Sequence, residues 1–171
     1  MQDKLIQVRA LISDVDGVLT DGSIVISEMG EVKTFNVRDG WAIKVMQRAG
    51  LMFAILSGRK SEPVLRRAKE LDIEVVKTGR LDKQTAMNEI AATLGLSLGE
   101  MAYIGDDIPD LAPMAMARIS FCPQDAVPEV LAQADVVVPV DGGRGVVRAA
   151  IELILKAQGR WEQEVERCRV K

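Results

Sequence analysis

Short apolar segments alternate with helix-like patterns along almost all of the 171 residues, and this alternation is the strongest constraint on the fold. The predicted strands, rich in Val, Ile and Leu, cover residues 8–15, 51–56, 73–77, 101–104, 118–122 and 135–139. Strands separated by helices are typical of a parallel sheet with helices on both faces. Because the strands are almost continuously apolar, both faces of that sheet should be buried. We therefore predict a doubly wound α/β fold.

A β-hairpin and a C-terminal tail are predicted in addition to this sheet. Two β-branched runs flank a turn, so residues 23–36 should form the hairpin. Asp39, which follows the hairpin, is predicted to N-cap a helix that ends before Gly50. The tail at residues 159–171 follows the last helix. Its Trp161 belongs either to the core or to an interface between subunits, and its place after Gly159 favours the interface. Residues 1–171 are expected to form a single domain.

Composition excludes several classes of function. The chain has no histidine, which excludes every mechanism that needs an imidazole base or ligand. Lys and Arg number 22 against 25 Asp and Glu, so the net charge of −3 gives no general attraction to nucleic acid or anionic membranes. No apolar run approaches the roughly 18 residues of a membrane span. Cys122 and Cys168 form no CxxC motif and no signal-peptide pattern is present, which predicts a cytoplasmic protein.

Polar side chains that can do chemistry follow four of the predicted strands. They are Asp14 and Asp16 after the first strand, Ser57, Gly58, Arg59 and Lys60 after the next, Lys83 beyond the third, and Asp106, Asp107 and Asp110 after the fourth. In an open parallel sheet, ligands bind beyond the carboxyl ends of the strands. We therefore expect these groups to converge on one site.

The acidic members of this set predict a magnesium site. Asp14, Asp16 and either Asp106 or Asp107 would place several carboxylates in one small volume. Like charges at close range repel each other unless a cation lies between them. Oxygen ligands from few carboxylates suit Mg²⁺, which keeps some of its waters and bridges to a phosphate.

The remaining members predict phosphoryl transfer. Ser57, the backbone N–H of Gly58 and Lys83 supply donors and a positive charge for phosphate oxygens. One carboxylate of the first loop can attack phosphorus and form an aspartyl-phosphate. A second carboxylic acid two residues further on can protonate the leaving oxygen and then activate water.

The motifs DVDGVLTDG, LSGR and GDDIPD, together with Lys83, resemble those of the haloacid dehalogenase superfamily of phosphotransferases. The resemblance implies that Asp14 is the nucleophile and that Asp16 is the general acid and base. It also implies that Ser57 binds the phosphoryl group and that Lys83 stabilises it. Mg²⁺ would be held by the side chains of Asp14 and Asp106 and by the backbone carbonyl of Asp16. The residues that would orient this metal shell are Asp107 and Asp110.

From about Leu11 to Trp161 the chain more closely resembles the capless 3-deoxy-D-manno-octulosonate 8-phosphate (KDO 8-phosphate) phosphatases. The resemblance rests on DVDGVLTDG, KTFNVRDGWAIK, GRKS, GDDIPDL, GGRGVVRAAIELIL and AQGRWE. It implies a phosphatase of lipopolysaccharide biosynthesis, acting on a sugar-acid phosphate as a homotetramer whose hairpins and tails close neighbouring active sites. The residues that it nominates to bind the substrate are Arg38, Gly58, Arg59, Lys60 and Arg144.

Two other interpretations of these motifs require residues that this chain lacks. A calcium loop beginning at Asp14 would need an oxygen ligand at Val18 and a glycine at Leu19. A signalling receiver domain would need an Asp at the end of a middle strand, and none is found there. A nonulosonate 9-phosphate phosphatase and a catalytically idle oligomerisation module on the same fold stay open. Related nonulosonate phosphatases can carry Glu where this chain has Arg59, which favours the octulosonate.

Overall fold

The protein, described by a computed structural model over residues 1–28 and 30–169, is built on a parallel sheet. The strands are β1 (Ala10–Ser13), β2 (Val25–Ser27), β3 (Gly30–Val32), β4 (Met52–Leu56), β5 (Val75–Lys77), β6 (Met101–Ile104), β7 (Ile119–Pro123) and β8 (Val136–Val138). Six of them form the sheet in the order β5-β4-β1-β6-β7-β8, with every pair parallel. The predicted α/β class is confirmed.

Helices cover both faces of this sheet. They are α1 (Gln2–Ile6), α2 (Val37–Arg48), α3 (Glu62–Glu70), α4 (Lys83–Leu94), α5 (Leu111–Met116), α6 (Pro128–Gln133), α7 (Val146–Ala157) and α8 (Trp161–Arg169). One apolar core lies under α1, α2, α3, α7 and α8, and a second lies under α4, α5 and α6. None of the helices in the described part of the chain combines the length and the apolar character needed to cross a lipid bilayer.

Side chains that alternate along each strand contribute to both apolar cores. In β1, Leu11 belongs to the core under α2 and α7, whereas Ile12 belongs to the core under α4. All four residues of β1 and all four of β6 are buried. Because successive side chains of a strand point to opposite faces, a strand covered on both sides is mostly apolar, and the exception in β1, Ser13, donates its hydroxyl to the carbonyl of Asp14.

The hairpin of β2 and β3 forms a separate two-stranded sheet, in which Val25 lies opposite Val32. It is shorter than the predicted span of residues 23–36, because the chain after Val32 runs without regular structure into α2. Met29, in the predicted turn, lies outside the described residues. The apolar side chains of the hairpin are exposed, and Ile26 reaches 82%. An apolar hairpin that its own chain leaves uncovered is typical of a contact surface.

Asp39 caps a different helix from the one predicted. Asn36 caps α2 by accepting a hydrogen bond from the backbone N–H of Arg38. Asp39 Oδ1 instead accepts from the backbone N–H of Arg148, in the first turn of α7, at 2.7 Å. Helix α7 has Gly145 at its N-cap position, which offers no side-chain acceptor. The carboxylate of Asp39 therefore joins two helices that lie far apart in the sequence.

This buried carboxylate makes stability depend on pH. Burial raises the pKa of Asp39 to about 6, against the opposing effects of the Arg148 backbone N–H and the charges of Arg148 and Arg67. Its Oδ2 has no hydrogen-bond partner among the described residues. Between pH 3.8 and about pH 6, Asp39 is therefore still protonated in the folded protein but already ionised in the unfolded chain. Stability contributed by this proton is present at low pH and is lost as the pH rises through about 6.

We expect the Asp39→Asn variant to remove this dependence, because an amide does not ionise. Between pH 5 and pH 7, the free energy of unfolding of the wild type should fall by about 1 kcal/mol relative to that of Asp39→Asn. Urea unfolding of both proteins at the two pH values measures the difference. If the difference in the free energy of unfolding between the two proteins is the same at both pH values, the raised pKa of Asp39 is contradicted.

The C-terminal tail is helical and packs on its own chain. Trp161, which begins α8, is only 6% exposed and meets Trp41 edge to face, with ring centroids 6.0 Å apart. The guanidinium of Arg148 lies 5.2 Å and 5.6 Å from the centres of these two rings. The expectation that Trp161 lies at a subunit interface is wrong, because aromatic and cation–π contacts within the chain already cover its ring. Val170 and Lys171 lie outside the described residues.

Candidate active site

The loops after β1, β4 and β6 and the start of α4 meet at one end of the sheet, around a cavity of about 360 Å³. Because β4, β1 and β6 are adjacent and parallel, their carboxyl ends open on the same edge. The predicted residues that line this cavity are Asp14, Asp16, Ser57, Gly58, Arg59, Lys83, Asp106, Asp107 and Asp110. The structure thus brings together nine predicted residues from three loops and the start of α4.

Lys83 lies between two buried carboxylates at the base of the cavity. It is the first residue of α4, which Asp82 caps by accepting from the backbone N–H of Thr85. Its Nζ lies 2.8 Å from Asp14 Oδ2 and 2.6 Å from Asp110 Oδ1. Burial opposes the charge on Lys83, but Asp14 and Asp110 together outweigh it and raise the pKa of the ammonium. Lys83 is therefore positively charged at neutral pH.

Asp110 uses both of its oxygens to fix its neighbours. Oδ1 accepts from Lys83 Nζ and from the hydroxyl of Tyr103, each at 2.6 Å. Oδ2 accepts from the backbone N–H groups of Asp106 and Asp107 at 3.2 Å and 3.3 Å. Burial, followed by the charge of Asp110, raises the pKa of Tyr103 well above its usual value, so the hydroxyl stays a donor. This geometry suits a positioning role better than direct contact with a metal.

Asp106 carries an oxygen that nothing in the described chain satisfies. Its Oδ1 is buried and has no hydrogen-bond partner there. A Cβ at Gly17 would lie 2.0 Å from Asp106 Oδ2, and Gly17 has a φ of +83°, so only glycine fits this point of the β1 loop. Burial, and then the charges of Asp14 and Asp110, raise the pKa of Asp106 to about 8. A buried carboxylate without donors is suited to bind a cation.

The charges around the cavity fit a divalent cation. Asp14, Asp106 and Asp110 can each place one oxygen within 4.8 Å of the others. Burial, followed by the charge of Asp110, raises the pKa of Asp14 to about 7, although Lys83 opposes the shift. One ammonium thus faces three carboxylates, and the oxygens of Asp110 are already occupied. Asp14 and Asp106 are the side chains that could hold Mg²⁺, which prefers carboxylate oxygens and water.

Asp16 pairs with a lysine that sequence analysis did not select. Lys33, one residue beyond β3, forms an ion pair with Asp16 Oδ1, and its side chain is completely buried. Its Nζ also lies 3.6 Å from Glu31 Oε1, and Arg59 Nε lies 3.8 Å from Asp16 Oδ2. Two sequence signals point to Lys33: its place at the end of a hairpin strand, where a lysine is ordinarily solvated, and its position at the start of the motif KTFNVRDGWAIK, which assigns it no role.

Ser57 and Gly58 form the rim of the cavity that follows β4. The backbone N–H of Ser57 donates to the carbonyl of Lys77 at 2.8 Å, and its carbonyl accepts from the N–H of Arg80 at 3.0 Å. The Ser57 hydroxyl accepts from the backbone N–H of Arg59 at 3.2 Å. These bonds anchor the loop to the end of β5 on one side and leave Gly58 facing the cavity.

Three predicted substrate-binding residues do not line this cavity. The aliphatic part of Lys60 lies over Gly79, where a Cβ would come within 2.7 Å of Lys60 Cγ. Arg38 and Arg144 line a separate groove beside the first turn of α7, together with Arg148. Within one chain, Lys60, Arg38 and Arg144 therefore do not meet the other predicted site residues. The positive charge of these residues does not show which cavity they line, because their positions depend on how their loops and helices pack.

Comparison with known proteins decides the family. Residues 73–149 match the family model of haloacid dehalogenase-like hydrolases. Over 161 residues the chain is 41% identical to 3-deoxy-D-manno-octulosonate 8-phosphate phosphatase KdsC of Haemophilus influenzae, covering 94% of this chain and 89% of that protein. This chain belongs to the 3-deoxy-D-manno-octulosonate 8-phosphate phosphatase family. The family predicted from the motifs is confirmed, and with it the assignment to the phosphatases among the hydrolases.

Solved structures of this family have the same fold. The phosphatase of Yersinia pestis matches with a TM-score of 0.92 and 40% identity, over 94% of this chain and 88% of that one. The phosphatase of Moraxella catarrhalis matches with a TM-score of 0.93 and 37% identity, over 96% and 95% of the two chains. The latter structure contains a magnesium ion, a phosphate ion and a KDO molecule. Family membership and the fold are thus supported by independent comparisons.

Proposed function

We propose that this protein is a Mg²⁺-dependent phosphatase that releases phosphate from KDO 8-phosphate. The observation that carries the proposal is the arrangement of Asp14, Lys83 and Asp106 at the base of the cavity, where one cation faces crowded carboxylates. The family relatives are named for this substrate, and the Moraxella catarrhalis structure contains magnesium, phosphate and KDO.

The proposed reaction uses two carboxylates of the β1 loop in turn. An Asp14 oxygen attacks phosphorus and the bond from phosphorus to the sugar oxygen breaks. Asp16, in its protonated form and released from its ion pair with Lys33, gives its proton to that oxygen. Asp16 then takes a proton from water as the water oxygen attacks phosphorus, which frees phosphate and regenerates Asp14. Lys83, the Ser57 hydroxyl and the Gly58 N–H offset the negative charge on the phosphoryl oxygens. Each of these groups lines the cavity.

The proposed metal site uses the carboxylates of Asp14 and Asp106 rather than that of Asp110, both of whose oxygens are already engaged. The side chains of Asp14 and Asp106 and the backbone carbonyl of Asp16 would hold Mg²⁺, which supplies positive charge beside the phosphoryl oxygens when bound. The unpartnered Asp106 Oδ1 supports this assignment. Asp110 would position Lys83 and the β6 loop, which supply three of its four hydrogen bonds, and the fourth comes from Tyr103 in β6. Asp107, which N-caps the turn after β6 by accepting from Ile108, would help to hold that loop.

We further infer a single domain without a cap, in the cytoplasm. Among the residues that the structure describes, the hairpin is the one regular element between β1 and α2, and α3 and β5 are the elements between the Ser57 loop and Lys83. The cysteines Cys122 and Cys168 are both free thiols, which suits a reducing compartment.

The experiment that tests the activity is steady-state phosphate release with Mg²⁺ on three substrates. KDO 8-phosphate should be preferred over a nonulosonate 9-phosphate and an aryl phosphate by about a hundredfold in kcat/KM, or about 2.7 kcal/mol of transition-state stabilisation. Equal kcat/KM values for all three would support phosphatase activity but contradict KDO 8-phosphate as the specific substrate. A complete lack of turnover would support the idle oligomerisation module instead.

We also propose that the protein is a homotetramer assembled through the hairpin. Val25, Ile26 and Val32 are 54%, 82% and 48% exposed, which leaves an apolar surface on a small two-stranded sheet. Such a hairpin has little stability alone and gains it by packing against another element.

The Ile26→Asp variant tests this assembly. Light scattering after size exclusion should give a tetramer for the wild type at micromolar concentration and smaller species for Ile26→Asp, because the new charge would be buried at the interface. Leu153→Asp is the matched control, since Leu153 is 37% exposed on α7, away from the hairpin. A wild-type monomer that keeps full activity would contradict the proposal.

A further inference from the structure

Glu31 of the hairpin reaches across to the loop that follows β4. Its Oε1 accepts from Arg59 Nη2 at 2.8 Å, and its Oε2 accepts from the Ser61 hydroxyl at 2.6 Å. Lys33 Nζ lies 3.6 Å from Oε1. The side chain of Glu31 is only 17% exposed, although its neighbours on the hairpin strands are largely open to solvent. Both carboxylate oxygens are therefore engaged by groups that lie 28 to 30 positions away.

These contacts are charge-assisted hydrogen bonds, which are stronger than neutral ones and fix direction. The Ser61 hydroxyl has the largest effect on the pKa of Glu31 and lowers it, and Arg59 and Lys33 lower it further. Glu31 is thus an anion at neutral pH. In the described structure it contacts neither Asp14 nor Asp106. The proposed chemistry leaves this carboxylate without a role.

Arg59 is the group whose side-chain orientation is fixed by Glu31. Its side chain is 49% exposed and lines the cavity, with Nη2 on Glu31 and Nε 3.8 Å from Asp16 Oδ2. A free arginine side chain has many rotamers, and ordering it on a ligand costs conformational entropy. An arginine that is already oriented by a carboxylate binds a substrate anion without that cost. Two of its nitrogens are held in this way, and the rest of the guanidinium is available to the cavity.

We propose that Glu31 is a positioning residue that presents Arg59 to the carboxylate-bearing part of the substrate and thereby determines which phosphate esters are preferred. This inference rests on the proposed function, because it assigns the origin of substrate preference within the same site. It predicts that loss of Glu31 weakens binding of a sugar-acid phosphate and leaves phosphoryl transfer itself intact.

A double-mutant cycle on Glu31→Ala and Arg59→Ala tests the inference. With KDO 8-phosphate, Glu31→Ala should raise KM about tenfold, as expected for a lost charge-assisted contact, and kcat should stay within twofold. With an aryl phosphate, which has no carboxylate, both constants should stay within twofold. The double variant should behave as Arg59→Ala alone, because residues that act through one another do not add.

Two matched variants separate positioning from a structural effect. Ser61→Ala removes one of the two hydrogen bonds that fix Glu31 and leaves the contact between Arg59 and Oε1 in place, so it should raise KM for KDO 8-phosphate by less than Glu31→Ala does. Glu31→Gln keeps the size and an acceptor oxygen but loses the charge, so it should lie between the wild type and Glu31→Ala. Turnover of the aryl phosphate shows that each variant is folded.

Additive losses in the cycle, or equal losses on both substrates, would overturn the role of Glu31. A fall in KM for Glu31→Ala would also overturn it, since Glu31 would then compete with the substrate for Arg59. A wild type that shows no preference for KDO 8-phosphate would overturn the proposed substrate instead. The two failures are therefore distinguishable in one set of measurements.

Discussion

Asp14→Asn is expected to lower kcat for phosphate release by about 10⁴-fold or more, as for other enzymes that lose their nucleophile. An amide oxygen cannot form the acyl phosphate, and no other carboxylate in the cavity takes its place. Asp106 is assigned to the metal, and Asp110 is held by four hydrogen bonds. The fold should survive, because Lys83 keeps its contact with Asp110 and one repelling charge is removed.

Steady-state kinetics and thermal unfolding together check this expectation. Asp72→Asn is the matched control, because Asp72 is exposed, distant from the cavity and has a φ of +52° that asparagine tolerates well. A variant at Asp14 that retains more than a few per cent of wild-type kcat would remove it from the role of nucleophile.

Removal of Mg²⁺ is expected to reduce phosphate release to the background rate, and re-addition should restore it. Binding should also stabilise the fold, because Asp14 and Asp106 repel each other and Lys83 alone does not offset three carboxylates. At a hundredfold excess over the dissociation constant, the stabilisation is about 2.7 kcal/mol. For a chain of this length that corresponds to a rise in Tm of roughly 5–10 °C.

Differential scanning calorimetry with and without Mg²⁺ measures the shift independently of turnover. Asp106→Asn should diminish it, since the variant loses a ligand with a free oxygen. Asp107→Asn serves for comparison, because Asp107 Oδ1 is already engaged by the N–H of Ile108. Full activity after chelation, or an equal Tm shift in Asp106→Asn, would contradict the metal assignment.

The sheet and the convergence of its loops could be predicted from sequence because both follow from local patterns. Apolar runs of strand length separated by helical segments leave few alternatives to a parallel sheet. The carboxyl ends of adjacent parallel strands then meet at one edge, so Asp14, Ser57 and Asp106 had to be near one another. Asp82 as the cap of α4 was also predictable, since capping depends on the adjacent residues.

The parts that could not be predicted depend on contacts between distant segments. Lys33 and Glu31 lie on a hairpin whose own pattern does not show which side faces the cavity. Asp39 looked like the cap of α2, but its carboxylate serves α7, more than a hundred residues away. Arg38 and Arg144 carry the charge expected of substrate-binding residues, yet α2 and the loop before α7 carry them into another groove.

The hairpin has one further consequence, for the way in which activity depends on protein concentration. In the proposed tetramer its exposed apolar side chains would contact a neighbouring subunit, while its charged side chains hold Asp16 and Arg59. Subunit association and substrate binding would therefore both depend on the conformation of the hairpin. Thermodynamic linkage requires that a ligand which favours the ordered hairpin also favours assembly, and by the same factor. Activity per subunit should consequently fall on dilution below the dissociation constant of the oligomer, and substrate should delay that fall.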